Sequence, residues 1–245
     1  MAIKSIQYKQ HTVDISYEIV NPEAKVDIII LHGWGSNKAL MKKSFGSYMD
    51  RFRHIYIDMP GFGGSTCNLV LQTSDYARII ELLMIHLNAQ KDIIVGHSFG
   101  GKVATILNPS VLVLLSSAGI IWPKSLKVKT KIYLFKMFKN LGLSKLRQHF
   151  VAEDAKELSE PMYETFKNVV NEDFTYEFEN YEGKALLCWG ENDNATPLKS
   201  AKKIDQLIKD SELEVYSGEH YFFMDHAQDI SKKIEDTFLK TLEHK

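Results

Sequence analysis

Apolar positions along this chain follow two rhythms. HTVDISYEIV at 11–20 alternates apolar and polar residues with a period of two, the pattern of a half-buried strand. VDIIILHG at 26–33, HIYIDMPG at 54–61, DIIVGHS at 92–98, VLVLLSSAG at 111–119 and ALLCWG at 185–190 are unbroken apolar runs, and most of them end at Gly or Pro. Such runs predict strands buried on both faces. Between them the period lengthens to that of a helix. SDYARIIELLMIHLN at 74–88 predicts a helix that Ser74 caps, and Pro197 suits the first turn of another. In the last helix Ile230, Ile234, Phe238 and Leu242 stand four apart, one apolar stripe facing the core. Strands alternating with helices predict an α/β fold, a mostly parallel central sheet with helices on both faces.

The alternation breaks between residues 120 and 182. From 122 to 150 there are eight Lys or Arg and no acid; from 151 to 182 there are ten acids and two lysines. A helical, charge-divided block that adds no strand predicts a cap inserted over the sheet. The expected division is a core of 1–119 and 183–245 with a helical cap at 120–182.

Composition narrows the reading further. The chain of 245 residues is 44% hydrophobic, enough for one sizeable core. Its net charge of −1 argues against nucleic acid or an acidic membrane as a partner. MAIKSIQYKQ lacks the apolar stretch of a signal peptide, and no apolar run is long enough to span a bilayer, so a cytoplasmic location is expected. Cys67 and Cys188 suggest neither a disulfide framework nor a zinc site, and no metal or cofactor is expected.

The chemistry gathers around Gly96-His97-Ser98-Phe99-Gly100. A serine between two glycines, after a strand and before the plausible helix GKVATIL, suggests a turn tight enough to exclude side chains and expose one hydroxyl. A serine hydroxyl needs a base to take its proton and a third group to orient that base. Ligands bind at the C-terminal edge of a parallel sheet, where Ser98, Asp193 and His220 each follow a strand. Asp58 and Glu191 are the rival carboxylates, and His226 the rival base. His32 and His97 read as structural, with the His97 side chain turned away from the nucleophile. Cys67 and Cys188 read as a loop thiol and a core thiol.

Four stretches in order carry a family resemblance: His32-Gly33-Trp34-Gly35, Asp58-Met59-Pro60-Gly61-Phe62-Gly63, the serine turn, and the late Asp193 and His220. The chain resembles the α/β-hydrolases over almost its whole length, and the order Ser, acid, His is theirs. The resemblance implies that Ser98 attacks a carbonyl carbon, His220 relays the proton, and Asp193 orients the imidazole. It also implies that the backbone amides of Phe99 and Trp34 hold the oxyanion.

A serine at the elbow points to acyl transfer to water, with a small acyl ester or thioester as substrate. The runner-up is C–C bond hydrolysis of 2-hydroxy-6-oxo-dienoates. The enzymes of that reaction are similar in their H-G-x-G and D-x-P-G-x-G stretches and in a loop asparagine near Asn37. They differ at His97 and at Glu191, whose charge disfavours an anionic dienoate if it faces the pocket. A third reading is a hydrolase-fold protein that binds without turnover. The basic cap face allows docking of an acidic acyl carrier, and Tyr133, Leu134, Phe135, Met137 and Phe138 offer an acyl lining.

Overall fold

The computed structural model describes residues 1–122 and 159–243. Eight strands form a single sheet: β1 (Ala2–Tyr8), β2 (His11–Val20), β3 (Val26–Leu31), β4 (Phe52–Ile57), β5 (Ile93–His97), β6 (Val111–Leu115), β7 (Lys184–Gly190) and β8 (Ser211–Tyr216). Their order across the sheet is β1-β2-β4-β3-β5-β6-β7-β8. The β1–β2 and β2–β4 pairs are antiparallel, and every later pair is parallel. The described helices are α1 (Lys38–Phe45), α2 (Thr73–His86), α3 (Phe99–Leu107), α4 (Glu160–Val169), α5 (Thr175–Glu179), α6 (Leu198–Leu207) and α7 (Phe223–Glu243).

The unbroken apolar runs are explained by the two cores. Along β3, Ile29 and Leu31 join one cluster, with Tyr76, Ile80 and Leu83 of α2 and Val103 of α3. Ile28 and Ile30 join the other, with Phe45 of α1 and Ile230 and Ile234 of α7. Alternate side chains of a strand point to opposite faces, so a strand covered on both sides must be apolar at every position.

Local signals misplace a few details. Ser74 lies inside α2, where the N-cap is Gln72, whose amide donates to the Asp75 carboxylate at 2.7 Å. Pro197 is the cap of α6, one residue before its first turn. The stripe of α7 is buried from Ile230 to Phe238, whereas Leu242, one residue from the helix end, is exposed. No described helix is long and apolar enough to cross a membrane. Within the expected cap, α4 and α5 are helical and 159–182 adds no strand. The basic face and the aromatic lining expected at 133–138 lie outside the described residues.

Candidate active site

The turn between β5 and α3 accounts for its glycines. Ser98 has φ 51° and ψ −113°, a conformation that costs a non-glycine residue about 1–3 kcal/mol. Any Cβ on Gly96 would lie 2.4 Å from the Gly100 carbonyl oxygen. One on Gly100 would lie 2.5 Å from that of His32, and one on Gly101 would lie 2.2 Å from Ser117 Oγ. These are hard overlaps, and at Gly96 and Gly100 the obstacle is backbone that cannot rotate aside. Gly100→Ala is expected to lower stability by at least about 1–3 kcal/mol, read from denaturant unfolding.

The elbow leaves Ser98 half-buried on a cavity of about 520 Å³ that His220, Trp34, Phe99, Phe166 and Tyr221 also line. The loops after β7 and β8 meet beside it. His220 Nδ1 lies 2.8 Å from Asp193 Oδ2, and the carboxylate can only accept, so the ring proton sits on Nδ1. Nε2 makes no hydrogen bond among the described residues.

Asp193 is buried and well held. Its Oδ1 accepts from the amides of Ala195 and Thr196, both at 2.8 Å, and its Oδ2 also accepts from Thr196 Oγ1 at 2.8 Å. Burial pushes this carboxyl upward, but hydrogen bonds from His220 and Thr196 outweigh it and hold the pKa at about 2. Thr196 is a holding residue that the motifs do not point to. Its signal lies in the turn chemistry, an aspartate followed two and three residues later by free amides, just before a proline.

The two rival carboxylates are placed elsewhere. Asp58 is buried against Lys38, with Nζ 2.5 Å from Oδ2, and accepts from the amides of Lys38 and Gly64. Both its oxygens are taken up by Lys38 at the start of α1 and by the Gly64 amide of its own loop. Glu191 is exposed and does not line the Ser98 cavity, so its charge gives no reason to disfavour an anionic substrate. His226 reaches back to the Ser217 carbonyl at 2.9 Å, and its ring packs at a tilt against Tyr216. Asn37 caps α1 through the Leu40 amide.

Two buried histidines brace the site. His32 Nε2 accepts from the Met59 amide at 3.0 Å, which leaves Nδ1 to donate to the Gly33 carbonyl at 2.7 Å. Burial lowers its pKa to about 4, so it is a neutral strut for the His32-to-Gly35 turn. His97 is buried and lies outside the cavity at Ser98. Its Nε2 donates to the His220 carbonyl at 3.1 Å, and its ring packs 4.7 Å from the His220 ring. Burial, then the neighbouring His220, lowers it to about 3. It supports the His220 backbone from beneath.

The backbone amides of Trp34 and Phe99 hold no hydrogen bond among the described residues. Phe99 opens α3, where the first amides have no helical partner. Cys188 is wholly buried in the second core, and burial raises both its thiol and that of Cys67.

Lys102, one turn beyond Ser98 on α3, is another buried group that no motif singles out. Its Nζ donates to the Val169 carbonyl at 2.7 Å and pairs with Glu172 at 2.9 Å. A signal is present in the residues around it: FGGKVATIL has no polar face on which a lysine could be solvated.

Comparison with known proteins agrees with this architecture. A family model for the alpha/beta hydrolase fold matches residues 28–108, from β3 through the elbow to the end of α3. An uncharacterised hydrolase of Bacillus subtilis, YugF, is 23% identical over 82% of this chain and 85% of its own. A pimeloyl-[acyl-carrier protein] methyl ester esterase of Vibrio campbellii is 35% identical over a shorter match, 32% of this chain and 30% of that one. The solved structure of an esterase from Exiguobacterium antarcticum superposes with a TM-score of 0.74 at 20% identity, covering 96% and 98% of the two chains. With the parallel sheet, the strained serine turn and these relatives together, the chain is an enzyme of the α/β-hydrolase fold.

Proposed function

We propose that the protein is a serine hydrolase that cleaves a small carboxylic ester or thioester through an acyl-enzyme intermediate on Ser98. The observation that carries this reading is the imidazole of His220. Asp193 binds it through Nδ1, so Nε2 keeps its lone pair, on the cavity that the Ser98 elbow also lines. Asp193 and His220 stand 27 positions apart in the chain, and their loops come together beside the turn after β5.

In this reading Ser98 Oγ attacks the carbonyl carbon while its proton passes to His220 Nε2. The charge that develops on the carbonyl oxygen is met by the Trp34 and Phe99 amides, each donor of this kind supplying about a hundred- to a thousand-fold in rate. The bond to the alcohol or thiol then breaks, and the imidazolium returns the proton to the leaving group. Water, deprotonated by the same imidazole, releases the acid and regenerates Ser98. Asp193 stays ionised throughout, since its pKa of about 2 lies far below working pH. Trp34, through its packing against Phe62, Phe99 and Phe166, keeps its amide on a rigid turn.

A fluorophosphonate probe, which traps an activated serine covalently, tests the reading. Native protein is expected to be labelled and Ser98→Ala protein to remain unlabelled with the same thermal melt. Equal labelling of both, or of neither, would refute the mechanism. A ring-cleavage dienoate added beside the ester substrates reads out the C–C reaction in the same assay.

A further inference from the structure

The ion pair of Lys102 and Glu172 has no part in the chemistry just described, yet its position is specific. Lys102 Nζ is engaged on each side: the Val169 carbonyl at 2.7 Å, Glu172 at 2.9 Å, and the face of the Phe174 ring at 4.6 Å. Its side chain is 2% exposed. The Thr73 hydroxyl donates to the same Glu172 oxygen. Such an ammonium has no donor left to recognise an anionic ligand. Glu172 is 35% exposed, so only the ammonium end of the pair is buried, and its desolvation offsets much of the attraction. Val103, Ala104 and Leu107, close to it on α3, are apolar and buried.

The surroundings say what the pair separates. On one side is the cavity at Ser98, whose walls include Trp34, Phe99, Phe166 and Val169. On the other is a second cavity of about 310 Å³, whose lining sets Asn171, Glu172, Lys199 and Ser200 beside Ile120, Ile121 and Trp122. Lys102, Ala118, Val170, Ala195 and Thr196 form walls of both. Two of these five are alanines, so the bulk of the common wall is supplied by Lys102, Val170 and Thr196. An alkyl chain growing from the acyl carbonyl on Ser98 Oγ along the apolar walls would have to press against the desolvated Lys102 ammonium, and burying charge more deeply without a polar partner is costly.

We infer that the Lys102–Glu172 pair is a polar partition that ends the acyl cavity and sets the length of acyl group the enzyme accepts. This deepens the serine-hydrolase reading and rests on it: the substrate class becomes short-chain acyl esters, with Lys102 as a specificity-determining residue. Removing both charges at once avoids leaving the buried ammonium without its counter-charge, which is the strongly destabilising case.

The test measures kcat/KM for nitrophenyl acetate, butyrate, hexanoate, octanoate and dodecanoate, with wild-type protein and the double variant Lys102→Met/Glu172→Met. Wild-type kcat/KM is expected to collapse within the series. The double variant should raise the octanoate-to-butyrate ratio by about tenfold, the low end of what one methylene is worth in an apolar pocket. Val170→Ala, at a position 47% exposed and therefore tolerant of trimming, is a second variant that thins the same wall and should move the ratio in the same direction by less. An unmoved ratio in both variants, with hydrolysis intact, overturns the partition and leaves Ser98 chemistry standing; the pair is then only a tie between α3 and the segment after α4. Wild-type protein that hydrolyses none of the series and takes no fluorophosphonate refutes the serine-hydrolase reading, and the partition falls with it.

Discussion

Asp193→Asn should lower kcat for an ester substrate by about four orders of magnitude with little change in KM, the scale set by loss of the correct imidazole tautomer. The geometry dictates how. The amides of Ala195 and Thr196 require an acceptor at Oδ1, so an asparagine must place its carbonyl oxygen there. Its amide nitrogen then faces His220 Nδ1 and can only donate. Nδ1 must become the acceptor, the ring proton moves to Nε2, and the lone pair that should receive the Ser98 proton is gone. The variant should fold, because its volume and its contacts to the loop are preserved. Asp58→Asn provides the contrast. It leaves the buried Lys38 ammonium without its counter-charge and should cost about 3–5 kcal/mol of stability, the penalty for breaking a buried pair. The same kcat loss in folded Asp58→Asn protein, with Asp193→Asn fully active, would exchange the roles of the two carboxylates.

The second large effect is on stability in mild acid. His32 and His97 are neutral when folded, with pKa values of about 4 and about 3, both because burial disfavours the imidazolium. In the unfolded chain each titrates near its ordinary value of about 6.5. Between those limits the unfolded state binds more protons, so stability is lost as pH falls, by about 1.4 kcal/mol per pH unit for each histidine. The loss from His32 is complete near pH 4 and approaches about 3 kcal/mol; that from His97 continues lower and is somewhat larger. Burial lowers His54 in the same direction. Asp193 has the opposite chemistry and the same sign. Its depressed pKa stabilises the fold above about 3.8, and that contribution is lost as pH falls toward 2. A small domain holds only about 5–15 kcal/mol in total, so cooperative acid unfolding is expected at about pH 4–5. Denaturant unfolding from pH 7 to 5 checks this directly. A flat stability profile over that range would mean that the two imidazoles accept protons inside the folded protein.

Much of this molecule was legible in its residues. The unbroken run Val26–Leu31 announced a strand covered on both faces, since a single exposed face would have left polar residues at alternate positions. The glycines about Ser98 announced a cramped turn, because nothing larger fits where a strand reverses directly into a helix. Such signals survive in one dimension because their causes lie within a few residues. Helix ends were less legible: Ser74 is the residue type that caps, yet the helix starts at Thr73 after Gln72, whose amide is held by the Asp75 carboxylate that also holds Tyr8 and Lys9 from the first strand and its turn.

By itself the sequence determined the α/β order of elements, the need for a side-chain-free elbow and a short set of candidates for base and acid. Which of those candidates lie side by side is set only by the tertiary structure. Asp58 and Asp193 both follow parallel strands, but the sheet order carries β7 beside β8, and so Asp193 beside His220, while it leaves Asp58 facing Lys38. The inward course of His97 beneath the His220 loop and the burial of Lys102 were decided in the same way. Partners distant in the chain set the environment of a polar side chain, and no local pattern of residues encodes which strands will lie side by side.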